Sequence, residues 1–297
     1  MPTLPEVTLP SNDLVELRVP DERDIDLIVD AGRDPLIPVI TTVEAHGSPA
    51  DAAAFIERQQ GRVAEGRGWS CTIVDRASQT PVGNLFISAF CFQLGCVEVG
   101  YWVGPSHRGS GHAASALALV RDWVPDALGI DRLTLYIDPD NTPSLRTAER
   151  TGFVREREHD RWELVGDEFR PMTIWRHGAP TGERSELGVL EARMWLNGYR
   201  DDGRWFEHHL HDDFVEHGCS GALWTRPRIV AQDIGPIEVE LPFTDLSLRQ
   251  VDADSWMLTY LSVQSHRTCR RMSLWQYTPD GWRLRFHQGT PIQTDSL

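Results

Sequence analysis

PSHRGSGHAASALALV, residues 105–120, decides how this chain is read. It sets Arg108, Gly109, Ser110 and Gly111 directly before an apolar run in which Ala113, Leu117, Val120 and Val124 recur at helical period. No Asp or Glu occurs within ten residues of Gly111 on either side. Ahead of the loop, VEVGYWV (97–103) reads as a strand. A helix start presents unpaired N–H groups and a partial positive charge. Glycines there remove side chains that would keep an anion from those amides, so the pattern predicts a phosphate cradle. Two other readings meet the same letters. One is a tight turn whose glycines serve backbone geometry alone. The other is a dinucleotide loop, since Gly109, Gly111 and Ala114 satisfy GxGxxA and Asp138 follows the next strand. That loop, however, opens directly after its strand in a repeating βαβ series, whereas here residues 104–107 intervene and a hairpin precedes.

Upstream, LVELRV (14–19) alternates as a strand, and DERDIDLIVDAG reads as a short helix. A helix is expected over 48–64, with Ser48 as N-cap and Pro49 at its first position. Residues 69–74 and 81–90 read as an antiparallel hairpin. Downstream, 133–137 is a strand, 143–150 a helix closed by Gly152-Phe153, and 170–176 a last strand after a polar one. GAPTGERSE (178–186) has the Gly, Pro and polar content of a linker. Beyond it the texture changes to helices over 187–199 and 204–211. Long alternating strands follow at 246–251, 256–266, 269–278 and 282–290, the last two joined by Pro279-Asp280-Gly281. The expected fold class is α+β in two different domains.

With 297 residues, 40% apolar and 25% charged, the chain has a globular composition. A net charge of −15 argues against nucleic acid or an anionic membrane as partner. No run of eighteen apolar residues predicts a membrane span. The first residues have neither a basic region nor an apolar core of the secretory kind, so a cytoplasmic location is expected. All 29 basic residues are arginine. Without lysine there is no GK[ST] phosphate loop and no Schiff-base lysine. The five cysteines form no CxxC pair and suit reduced thiols better than disulfides; no metal site is expected.

VGYWVGPSHRGSGHAASAL closely resembles the acetyl-CoA-binding motif of the GNAT N-acetyltransferases, Arg/Gln-x-x-Gly-x-Gly/Ala after a strand, here Arg108, Gly111 and Ala113. DPDNTPSLRTAERTGF, with Asn141, Ser144 and Gly152-Phe153, is similar to the Rim-type branch, which includes ribosomal-protein acetylases. The resemblance implies a mixed sheet flanked by helices and acetyl-CoA as acyl donor. The loop amides of Arg108, Gly109, Ser110, Gly111, His112 and Ala113 would bind its pyrophosphate. Tyr101, Trp102 and Val103 would run beside the pantetheine, and Asn141 and Ser144 would bond the cofactor's arm. The acceptor would be a primary amine, of a small molecule or a protein N-terminus, attacking the thioester directly. Positioning supplies much of the rate. Glu98, on the central strand with Gly100 and Trp102 on its face, is the candidate general base; a sheet carboxylate paired to an arginine is the competing reading. Many family members carry a tyrosine general acid seven residues after the asparagine. Here that position is Ala148, leaving Ser144 or water to protonate the thiolate.

Residues 187–297 resemble the SnoaL-like and nuclear-transport-factor-2-like cone domains, through DDFVEHGCSGALWTRPRIV and RRMSLWQYTPDGWRLRFHQGTPI. The implied fold is a cone-shaped α+β barrel with a curved antiparallel sheet around a pocket. Glu216, His217, Trp224, Tyr260, Arg271, Trp275, His287 and Gln288 are its candidate lining, with core packing the competing reading for each. Such a domain binds a ligand, hosts a reaction or forms a homodimer. The expected organisation is a transferase domain over 1–178, a linker over 179–186 and the cone over 187–297. A non-catalytic sensor of acyl-CoA and a small molecule is the alternative function.

Overall fold

The chain's punctuation is obeyed closely in a computed structural model, which describes residues 4–165, 168–180, 182–200, 203–231, 234–264 and 267–292. Ser48 accepts a hydrogen bond from Asp51 N–H, and Asp51 bonds back to the Ser48 amide. That capping box, with Pro49 after it, starts α3 (Pro49–Gly61). The described residues form two compact units, one of 4–89 with 95–180, the other of 90–94 with 182–292.

In the first unit the strands are β1 (Val15–Arg18), β2 (Gly68–Asp75), β3 (Thr80–Ser88), β4 (Val97–Val103), β5 (Leu133–Ile137), β6 (Val154–Val165) and β7 (Glu168–His177). Besides α3, the helices are α1 (Ile25–Ala31), α2 (Ile37–Ile40), α4 (His112–Leu128) and α5 (Thr142–Arg150). The described strands make one seven-stranded sheet in the order β1-β2-β3-β4-β5-β7-β6, antiparallel except where β4 meets β5. Neighbouring strand residues face opposite sides. Trp102 therefore packs into the apolar cluster of α1 and α3, with Leu27, Ile28, Ala31, Phe55 and Ile56, while Tyr101 meets α5 on the other face.

The β4–β5 pairing positions the site. It is limited, among the described residues, to Val97 with Leu133 and Glu98 with Thr134. Beyond Glu98 the two parallel strands part, and the edge of β4 from Val99 to Val103 has no β5 partner.

The second unit contains α6 (Glu183–Arg193), α7 (Asn197–Arg200), α8 (Gly203–His209), β8 (Leu210–His217), β9 (Leu223–Thr225), α9 (Arg226–Ala231), β10 (Thr244–Gln250), β11 (Ser255–Gln264), β12 (Arg267–Thr278) and β13 (Gly281–Pro291). Its six described strands run β10-β11-β12-β13-β8-β9. Register shifts interrupt β10–β11, β12–β13 and β13–β8, and such bulges bend a sheet. The expected barrel is corrected in two respects. The sheet is not closed, and it is mixed, because β8 joins the β10–β13 meander through a parallel pairing with β13.

Two further expectations are corrected here. The polar stretch 179–186 is not all linker, since α6 begins at Glu183 and the buried Glu186 carboxylate accepts a 2.7 Å bond from Trp282 Nε1. The cysteines are not all reduced either. Cys71, Cys91 and Cys96 are free and buried, but Cys219 and Cys269, separated by 50 residues, are disulfide-bonded. Spacing alone does not reveal that partnership, which exists only once the loop after β8 folds over β12.

Candidate active site

The loop between β4 and α4 is built as a cradle. Gly109 and Gly111 have φ of +82° and +83°, where side-chain-bearing residues are disfavoured. A Cβ on Gly109 would meet nothing within 4 Å, and one on Gly111 only Leu14 Cδ2 at 3.9 Å. The glycines are thus required by backbone conformation, and the space above them is open. Gly111 is the N-cap of α4 and provides no side-chain cap, so the first amides of this 17-residue helix face that space. Residues 108–111 are exposed.

Two side-chain contacts to carboxylates hold the loop. Arg108 Nε donates to the Val103 carbonyl (3.1 Å), and its Nη2 meets Asp34 Oδ2 at 2.8 Å. Burial pushes the Asp34 carboxyl up, but the Ile37 and Leu36 amides and Arg108 outweigh it and hold it below the usual range. The buried His112 ring places Nε2 2.9 Å from Asp75 Oδ2. Asp75, bonded by the Ser78 amide and then by His112, is lowered to about 2. The arginine and histidine side chains therefore fix the loop, while the backbone forms the cradle.

Beside the parted strands, Tyr101 OH lies 2.8 Å from Ser144 Oγ. Burial raises the Tyr101 phenol above its ordinary value despite that bond, so it is protonated at neutral pH. Asn141 is the N-cap of α5, its Oδ1 accepting from Ser144 N–H at 3.2 Å. Ala148 is fully buried. Position 148 thus carries no phenol, whereas β4 brings that of Tyr101 to Ser144 of α5, a contact the motif did not reveal.

Glu98 lies on the opposite face, in a row with Ser88 of β3 and Thr134 of β5. The hydroxyls of Ser88 and Thr134 are buried with no hydrogen-bond partner among the described residues. Glu98 also attracts the half-buried Arg62. Burial and Arg67 lower the Arg62 guanidinium to about 10, against the pull of Glu98. A carboxylate and a phenol thus flank the free β4 edge from opposite faces.

In the second unit a cavity of about 480 Å³ is lined by Glu216, Trp224, Arg271 and His287 of the eight sequence candidates. The other four lie elsewhere. Tyr260 and Trp275 are fully buried around Glu191, which accepts bonds from Tyr260 OH (2.5 Å), Ser273 Oγ (2.7 Å) and Trp275 Nε1 (2.7 Å). His217 and Gln288 form a register pair beside Glu216 and His287 and therefore face the other side. Trp195, Gln264 and Cys219 line the cavity without having been singled out in the sequence.

A split between parallel strands thus leaves an open strand edge, with a glycine-lined, uncapped helix start at its end. Residues 15–154 match the acetyltransferase (GNAT) domain family. Over those residues, a little under half of its length, the chain is similar to the GNAT acetyltransferases, a family that takes its acetyl group from acetyl-CoA. It is 23% identical over 140 residues, 47% of this chain and 79% of the relative, to uncharacterized N-acetyltransferase p20 of Bacillus licheniformis. Among solved structures, it resembles a provisionally named ribosomal-protein-serine acetyltransferase of Vibrio cholerae. The TM-score is 0.50 and the identity 21%, over 58% of this chain and 98% of that one. It also resembles the microcin C7 self-immunity acetyltransferase MccE in complex with acetyl-CoA and AMP. There the TM-score is 0.51 and the identity 20%, over 57% and 94% of the two chains. Among the described residues no helix is long and apolar enough to cross a membrane.

Proposed function

We propose that this protein transfers the acetyl group of acetyl-CoA to a primary amine, of a small molecule or a protein N-terminus, by direct attack. The observation that carries the reading is the parted β4–β5 edge ending at the uncapped, glycine-lined start of α4. Acetyl-CoA supplies the acyl group as an activated thioester. The amides of residues 108–113 hold its diphosphate without a basic patch, which suits a chain of net charge −15. The β4 edge over residues 99–103 presents backbone groups to the pantetheine, and Asn141 stands at the arm. Glu98 takes the proton the amine sheds, with Ser88 and Thr134 offering hydroxyls for an intervening water. Tyr101, kept protonated by burial and bonded to Ser144, is the proton donor on the opposite face. The transferase domain covers residues 1–178, and the enzyme acts in the cytoplasm as a soluble protein.

The second unit is, in this reading, an accessory SnoaL-like cone over 187–297 whose role is ligand binding. Its test is independent of the transferase test.

Release of free thiol from acetyl-CoA, followed against a panel of amines, tests the enzyme reading. At least one amine should accelerate release, and Tyr101→Phe should reduce kcat about tenfold or more with acetyl-CoA affinity unchanged. Tight CoA binding with no amine-dependent release would replace this reading with the sensor.

A further inference from the structure

Arg271 is the unusual group in the cavity of the second unit. It is 3% exposed, yet its hydrogen bonds go to two neutral oxygens, Ser262 Oγ (3.0 Å) and Gln264 Oε1 (3.1 Å). Among the described residues no carboxylate forms an ion pair with it. Its guanidinium lies over the Trp195 ring, 4.7 Å from the centroid. Burial pulls its pKa down, against the electrostatic influence of Tyr260, Glu216 and Glu191. A buried cation without a direct counter-ion is costly, and this one borders a cavity.

Its neighbours have the same shortage. Arginine only donates, so Gln264 must turn its oxygen towards Arg271. That leaves Gln264 Nε2, also buried, with no partner among the described residues. His287, 1% exposed, has no well-formed hydrogen bond at Nδ1 among the described residues and meets Glu216 Oε1 there at 3.3 Å. Glu216 already satisfies part of its charge against His287, which with Arg271 and Arg200 holds it below the usual carboxylate range despite burial. Gly289 makes the arrangement possible, because a Cβ there would lie 2.5 Å from Arg271 Nη1. Much of the remaining wall is apolar, including Phe206, Phe214 and Trp224. Three arginines line the cavity against one glutamate, in a chain of net charge −15.

From this we infer that the cavity binds a small organic carboxylate with an apolar, ring-sized body. The carboxylate accepts from Arg271 and Gln264 Nε2, and the body fills the aromatic wall. A volume of about 480 Å³ falls in the range of sites for such molecules. The inference rests on the reading of the second unit as a ligand-binding cone and supplies the class of ligand.

The test is calorimetry on the full-length protein with benzoate, phenylacetate and octanoate, each against its amide, and with benzylamine. At least one carboxylate should bind at one site per chain, about 30-fold more tightly than its amide, as expected for a charge-assisted pair. Arg271→Gln should abolish that preference while acetyl-CoA binding persists. Gly289→Ala, which displaces the guanidinium without removing its charge, should weaken the carboxylate in the same direction. If Arg271→Gln does not fold, the wild-type ratio of carboxylate to amide still decides. Equal affinity for acid and amide, or preference for benzylamine, overturns this inference and leaves the cone reading standing. No heat with any probe overturns both.

Discussion

Replacing Gly111 with glutamate places a carboxylate where the diphosphate is expected to lie. Two effects must be separated. The first is conformational. Gly111 sits at φ +83°, and a non-glycine residue there costs roughly 1–2 kcal/mol. There is otherwise room, the nearest atom to a Cβ being 3.9 Å away, so the fold should survive with a lowered Tm. The second is electrostatic. Two diphosphate charges about 6 Å from one carboxylate, at an effective dielectric of about 40 for an exposed loop, repel it by about 3 kcal/mol. That corresponds to about 100-fold weaker binding. Gly111→Asn is the control, because asparagine tolerates the left-handed region and adds bulk without charge. Calorimetry with acetyl-CoA should give about 100-fold loss for glutamate and less than tenfold for asparagine. The gap should shrink at 0.5 M salt as screening increases. Glutamate within threefold of wild type would refute the cradle. Equal loss in both variants would assign the glycine to turn geometry alone.

Three other outcomes follow from the same contacts. Arg108→Ala removes the ties to Val103 and Asp34; KM for acetyl-CoA should rise about fivefold while stability falls by less than about 1 kcal/mol, because the arginine is half-exposed. Glu191→Ala strands the buried donors of Tyr260, Ser273 and Trp275, and should cost about 3–5 kcal/mol in urea unfolding; a loss under 1 kcal/mol would show that water replaces the carboxylate. Acid stability should follow Asp21 and Asp75, both lowered to about 2. Their folded values lie below their unfolded ones, so their contribution is complete above about pH 4 and is lost as pH falls through about 2. Urea midpoints measured from pH 5 to pH 2 should fall across that window, and Asp75→Asn should flatten the fall.

Local pattern carried much of the first unit. The ends of β4 and β5, the Ser48 cap and the start of α4 at Gly111 all follow from turn chemistry and periodicity over a few residues. The parting of β4 from β5 does not, because register between strands is set by packing across the sheet. The Arg108–Asp34 and Tyr101–Ser144 contacts join residues far apart in sequence for the same reason. In the second unit the alternation rule could have done more. Glu216 and His217 are adjacent on one strand, as are His287 and Gln288, so only one of each pair can face the cavity. Glu191 gave no local sign of its role. A charged residue in an apolar helix looks like a surface position until Tyr260, Ser273 and Trp275 converge on it.

The most direct measurement is a titration of glycine-¹⁵N-labelled protein with CoA, followed by ¹H–¹⁵N correlation spectra. The account predicts that the amides of Gly109 and Gly111 shift strongly and saturate together, while those of Gly281 and Gly289 stay in place. Saturable CoA binding that leaves Gly109 and Gly111 unmoved would contradict it.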